Sequence, residues 1–360
     1  MRKAALLFLL AAGSASAETL YIGSRAGIYE ATLDPATGHL SGMAFAAPMT
    51  RPLWLEKGFA PKTLYSVNDD GSVVTLSADG KEVARTSSGG TGPTHLALDS
   101  ASRTLFAANY GSGQVAALPV GPDGVPAAPV SVQADQGSGP TPRQKGPHAH
   151  EAVLDPSRHF LLVPDLGADK IFLYRFDAAT RQLQPAGSEP LPPGSGPRHL
   201  AFHPKGKWAF LITELSAELK TYRWDAKRGE LTLTATVSTL APDYQGKKSG
   251  AEIALSPDGR FLYLSNRGED SIVVFAVDAG TGGLTEIQRL SSQGKDPWAF
   301  VLSGRWMLVA NEASGDVSVL ERDGKSGKLR PTGERLTVPN PISLLLINGW
   351  PGRDSSLRSE

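Results

Sequence analysis

Apolar residues in this chain fall into short runs, and seven of these runs climb to an Asn, Asp or comparable turn residue before a second alternating segment follows. The runs end at Leu20–Gly23, Leu64–Asn68, Leu105–Asn109, Leu161–Asp165, Phe210–Glu214, Leu262–Asn266 and Met307–Asn311, a mean step of 48 residues between Gly23 and Asn311. Within each repeat the pattern predicts an inner strand, a turn, the run itself, a short polar gap and a third alternating strand. The middle of the chain spells this out. Ala149 to Asp155 leads to Phe160 to Asp165 and then Lys170 to Asp177; Arg198 to His203 leads to Trp208 to Glu214 and then Glu218 to Asp225; Ala251 to Ser256 leads to Arg260 to Asn266 and then Ser271 to Asp278. A unit of this size made only of strands cannot bury both faces alone, so its neighbours must stack on it. Seven such units predict an all-β, seven-bladed β-propeller.

The punctuation agrees with that reading. Asp155-Pro156-Ser157-Arg158, His203-Pro204-Lys205-Gly206 and Ser256-Pro257-Asp258-Gly259 have the composition of hairpin turns, with Pro fixing φ early and Gly free to take positive φ late. The last apolar segment, Ile342 to Ile347, has no later partner, and Thr19 to Ile22 has no inner strand before it. Pairing the two completes a blade from both ends of the chain and removes the open edges of an unclosed sheet array.

Composition narrows the function classes. The 39 Gly and 27 Pro suit a chain of many turns, and 36 basic residues balance 36 acidic ones, leaving no global field to hold a polyanion. Nucleic acid is therefore excluded as the expected partner. A basic start (Met1-Arg2-Lys3), an apolar stretch from Ala4 to Ala12 and the small residues Ala15-Ser16-Ala17 predict a secretory signal over residues 1–17. The apolar stretch falls short of the ~20 residues of a membrane span, so no membrane attachment is expected after its removal. With no Cys, the chain has no disulfides, no thiol catalysis and no lipid-attachment cysteine. The expected layout is one propeller domain over residues 18–350, monomeric and periplasmic or secreted, with a polar tail at 351–360.

Candidate chemistry sits where inner strands and their end loops border the central channel. Three segments stand out: Gly146-Pro147-His148-Ala149-His150; Gly196-Pro197-Arg198-His199 with the later Glu214; and Ala251-Glu252-Ile253 with the later Asn266-Arg267-Gly268. His148 and His150, two apart on an extended segment, share a face and suit either a metal or a polar channel wall. Arg198 suits a turn cap, a carboxylate pair or a bound anion, and Arg267 a strand-end ion pair or the same anion. Glu214 breaks an apolar run where other repeats carry mainly Asn or Asp, a place where a carboxylate persists only if paired or used.

At these residues the chain resembles a known family. Gly-Pro-Arg-His-Leu-Ala-Phe-His-Pro at 196–204, Thr-Glu-Leu at 213–215 and the run from Ser256 to Ile272 are similar to motifs of the bacterial 6-phosphogluconolactonases, whose seven-bladed propeller family also includes the fungal carboxy-cis,cis-muconate cyclases. Residues 92–96, 108–113 and 163–169 resemble three further motifs, in the same order. The resemblance implies a metal-independent, cofactor-free site for a small-molecule lactone at the channel mouth, with His150, Arg198, Glu214 and Arg267 as its catalytic groups and His148 the alternative to His150. His148, Asn109, Asp165, Asn266 and Trp298 are expected to bind substrate. Hydrolysis needs a base for water, donors for the developing oxyanion and a proton for the leaving ring oxygen. Glu214 or His150 suits the first task, and the guanidinium forks of Arg198 and Arg267 suit the second. No Gly-x-Ser-x-Gly elbow is present, which favours direct attack by water.

One departure bears on the substrate. Where the family has Pro-Arg before an aromatic strand, the sixth repeat reads Asp296-Pro297-Trp298, and the following turn, Ser303-Gly304-Arg305, is short. A lost cation and a gained Trp point away from a phosphate and toward a less charged lactone, as does the secretory signal. A non-catalytic secreted propeller and a muconate-type cyclase are the competing readings.

Overall fold

The computed structural model describes residues 17–348. The body of the expected signal and the tail 351–360 lie outside the described residues. Seven four-stranded antiparallel sheets make up the chain, arranged as the blades of a propeller. Blade 1 holds Glu18–Ser24, Gly27–Leu33 and Leu40–Ala47, and its innermost strand is the chain's last, Pro341–Asn348. Glu18 pairs with Asn348 and Gly23 with Ser343, so the ring closes through the two terminal strands as expected. The innermost strands of blades 2 to 7 are Leu55–Lys57, Pro93–Asp99, Val153–Leu154, Pro197–Phe202, Gly250–Leu255 and Pro297–Ser303. Counting the closing blade as the first, the repeat that carries Trp298 is blade 7.

The core is divided into seven clusters, and each lies between two neighbouring blades. Phe160, Leu162 and Leu173 of blade 4 pack with Leu200, Leu211 and Trp224 of blade 5, for example. The glycines of the outer hairpins allow this approach. Gly282 and Gly327, at φ +71° and +74°, lie under the rings of Trp208 and Phe261 of the preceding blade, where a Cβ would come within 2.5 Å and 2.3 Å of ring carbons. Trp208 Nε1 donates to Ala279 O at 3.1 Å across that junction.

Two expectations need revision. Each blade carries a fourth, outer strand, such as Gln182–Pro190 and Glu230–Ser238, whose residues are largely exposed and whose pairing is bulged, so its pattern is too weak to read in sequence. The inner strand expected over Ala149 to Asp155 is only Val153–Leu154, preceded by an isolated bridge between Ala149 and Asp165. Gly146 to Glu151 instead follows an irregular path at the channel, and a long connection from Asp135 with one 3-10 turn, Pro142–Gln144, runs into it.

Candidate active site

Glu214 follows directly on Trp208–Thr213, and its carboxylate is the centre of a buried charge cluster. Arg267 Nη2 lies 2.8 Å from Oε2, Arg198 Nε 3.3 Å and His150 Nε2 3.9 Å, while Arg143 Nη1 meets Oε1 at 2.5 Å. The structure thus brings His150, Arg198, Glu214 and Arg267 together from blades 4, 5 and 6. The Arg198 and Arg267 contacts are ion pairs by distance, yet neither guanidinium aligns an N–H on the carboxylate, and Arg198 Nε, Arg267 Nε and Arg267 Nη2 remain without hydrogen bonds. These N–H groups keep unspent donor capacity beside the carboxylate.

Electrostatics set the roles. Burial pushes the Glu214 carboxyl up, but Arg267, Arg198, His150 and Arg143 override it and hold the group well below the usual carboxylate range. Burial, reinforced by Arg198 and His199, holds the His150 imidazole well below its ordinary value, so it is neutral. Burial and the neighbouring Arg267 lower Arg198 to about 10, which still leaves it charged at neutral pH. Burial raises Asp296, near Arg267, to about 6.

A cavity beside this cluster is lined by Trp54, Thr94, His150, Arg198, His199 and Trp298, among others. The Arg267 guanidinium carbon stands 4.4 Å from the centre of the Trp298 ring. His148 is at the rim, its ring stacked on Tyr110 at 4.4 Å and its Nδ1 2.7 Å from the Tyr110 carbonyl. His150 meets the same Tyr110 ring edge-on at 5.6 Å, but of the two histidines only His150 reaches Glu214 and lines the cavity. Among the described residues no group of three or more His, Cys, Asp or Glu is placed to hold a metal ion.

Three expected substrate contacts are corrected. Asn109, Asp165 and Asn266 are fully buried and their side chains are engaged with the scaffold. Asn109 bonds Ser88 and the Gln114 carbonyl; Asn266 bonds Thr239 through both its oxygen and its nitrogen; Asp165 accepts the N–H groups of His148 and Ala168. Asn109 and Asn266 thereby tie the end of their strand to the segment that enters the blade, and Asp165 does the same through His148. Conversely, Arg143 carried no sequence signal, since it lies in a polar Gly- and Pro-rich connection. It bridges Glu214 and the Tyr110 hydroxyl (3.0 Å from Nη2) and is the one half-exposed cation of the cluster. His199 and Glu252, paired at 2.8 Å, stood in segments the sequence did mark.

A closed seven-bladed ring carries three guanidinium groups around one ionised carboxylate, with a neutral imidazole at its channel, a donor set suited to small anionic or carbonyl-bearing molecules. Comparison with known proteins makes the class specific. The family profile described as lactonase, 7-bladed beta-propeller, matches residues 10–346. A 6-phosphogluconolactonase of Bacillus subtilis is 34% identical over 336 residues, covering 91% of this chain and 96% of the relative. Among solved structures, the Pseudomonas aeruginosa periplasmic gluconolactonase superposes with a TM-score of 0.84 at 35% identity, covering 92% of this chain and 99% of that one. A protein of Lactobacillus plantarum gives 0.87 at 33% identity, with 92% and 100% covered. The chain belongs to the seven-bladed β-propeller lactonase family. It is a lactone hydrolase acting on a small molecule, which sets aside the non-catalytic reading.

Proposed function

We propose that the protein opens an unphosphorylated sugar δ-lactone by direct attack of water, with His150 as the base. The observation that carries the reading is the set of buried, unspent guanidinium N–H groups of Arg198 and Arg267 beside a neutral imidazole. Glu214 is a poor base, because the three guanidinium groups around it stabilise its ionised form. It serves instead as the counter-ion that gathers them. His150 is neutral, its Nδ1 has no partner, and it lines the same cavity as Arg198. It takes the proton of the attacking water, the C1 oxygen becomes negative against Arg198 and Arg267, and the imidazolium returns the proton to the departing ring oxygen. The product carboxylate then meets the same cations.

For the substrate, the cavity supports a neutral ring. Its lining offers one cation, Arg198, among Leu53, Trp54, Glu252, Trp298 and Ile342, and neither Arg143 nor Arg267 is part of it. That one solved relative at 35% identity is a periplasmic gluconolactonase supports the same class and, with the basic-apolar N-terminus, an exported location. The test is proton release from a panel of lactones at constant pH, against the spontaneous rate. Glucono-δ-lactone should be opened faster than its 6-phosphate, and His150→Asn should remove most of the acceleration. Rates equal to the uncatalysed ones across the panel would sink the proposal.

A further inference from the structure

Arg198 is held from two sides. Its Nε faces Glu214 Oε2 at 3.3 Å, while its Nη1 donates to the Ala251 carbonyl at 2.7 Å and lies 3.2 Å and 3.3 Å from the two ring nitrogens of His199. The remaining nitrogen, Nη2, has no partner among the described residues. His199 is fixed in turn by Glu252, whose Oε1 is 2.8 Å from Nδ1. That oxygen also accepts the Ile253 N–H at 3.0 Å, and the Glu252 N–H donates to Ser265 Oγ at 3.1 Å, which itself donates to Pro297 O at 3.1 Å. Glu252 is thereby anchored in blade 6 and tied to blade 7. An oxygen already accepting a backbone N–H accepts from the imidazole as well. The contact with Glu252 therefore assigns the His199 proton to Nδ1, while Arg198 Nη1, almost equally far from the two ring nitrogens, rests against the ring.

Such a pair is costly. Arg198, His199 and Glu252 are only 2%, 3% and 8% exposed, and a buried carboxylate–imidazole pair is weak as a stabilising device compared with apolar packing. Its position explains it: Glu214, Arg198, His199 and Glu252 form one chain of contacts in which the guanidinium is clamped along its Nε and Nη1 edges. We propose that His199 and Glu252 are a positioning pair for Arg198, locking the guanidinium so that Nη2 stays aimed at the oxygen that turns negative as a lactone opens. The inference rests on the lactone-opening reading above. Both residues also border the cavity, and the proposal assigns their effect to Arg198, which they hold.

The test is a double-mutant cycle on kcat and KM for glucono-δ-lactone, with thermal melting as the control for folding. His199→Ala should lower kcat by about 30- to 100-fold, the scale of a misplaced donor, with KM within roughly threefold. In the Arg198→Lys background, the same change should cost less than about threefold, because the group it positions is gone. Glu252→Leu should match His199→Ala, and Glu252→Gln, which keeps the acceptor oxygen, should recover about tenfold of that loss. Equal losses in both backgrounds, or a loss confined to KM, overturn the proposal. A crystal structure of His199→Ala decides it without activity: Arg198 should leave the Ala251 carbonyl, and an unmoved guanidinium overturns the pair. A wild-type protein inert on every lactone would refute the hydrolase reading, while that structure would still judge the pair.

Discussion

Replacing Glu214 by Gln removes the one charge that three guanidinium groups share, so its effect on stability follows from the geometry. At about 3 Å and an effective dielectric near 20, each buried contact is worth roughly 5 kcal/mol before desolvation. Arg198 and Arg267 are buried, whereas Arg143 is half exposed and its contact is screened by solvent. Most of that attraction offsets the cost of taking the ions out of water, and removing one partner of such a buried set nets a loss of about 3–5 kcal/mol. For about 330 folded residues the unfolding entropy near the midpoint is roughly 0.7 kcal/mol per degree, so Glu214→Gln should melt about 4–7 °C lower. The vacated cations then form an anion site. Gluconate or sulfate at about 100 times its Kd should restore roughly 2.7 kcal/mol, most of the lost midpoint, while raising the wild type much less. Thermal unfolding followed by circular dichroism, with and without the anion, reads both effects. A variant that melts with the wild type and ignores anions would show that the carboxylate does not hold the cluster.

Three further outcomes are expected. Because burial and Arg198 keep His150 neutral and a base must be neutral to accept a proton, the acid limb of kcat/KM should fall below pH 6.5; a limb at or above that value refutes His150 as the base. Asp135, buried against Asp165, Lys170 and the Tyr174 hydroxyl, is raised from 3.8 to about 8, so its contribution to stability is fully present below pH 3.8 and lost as pH rises to about 8. Wild type should therefore lose more melting temperature between pH 5 and pH 9 than Asp135→Asn, and parallel curves would contradict this. Trp298→Arg should improve 6-phosphogluconolactone relative to the unphosphorylated lactone by roughly tenfold in kcat/KM, about the worth of one charge-assisted hydrogen bond, and an unchanged ratio would remove Trp298 from the specificity account.

The architecture was legible because the same burial problem is solved seven times. Lys170–Asp177 and Glu218–Asp225 fall at the residues their alternation marks, and the terminal pairing of Glu18–Ser24 with Pro341–Asn348 followed from two strands that lacked neighbours. The site was legible where a charged side chain stands among apolar neighbours. Glu214 is the centre of the cluster, but the register corrects its place: Thr213 fills the slot of Asn109 and Asn266, and Glu214 stands one residue beyond it, level with Tyr110 and Arg267. Asn109, Asp165 and Asn266 recur, and that recurrence marks bonding of the scaffold, not chemistry. The same rule reaches Glu252, a carboxylate between Ala251 and Ile253 on an inner strand. Arg143 was beyond reach, since its place at the mouth depends on how a connection without periodicity crosses two blades.

A ring sealed by its own first and last strands also has a clock. Glu18–Ser24 leaves the ribosome roughly 300 residues before Pro341–Asn348, a delay of about 15–60 s at ordinary rates of synthesis. Until the last strand arrives, blade 1 has no inner edge and the channel has a gap in its wall. An export signal ahead of Glu18 would therefore act on a chain that has not yet locked, and the same closure that finishes the enzyme would end its passage through a narrow pore.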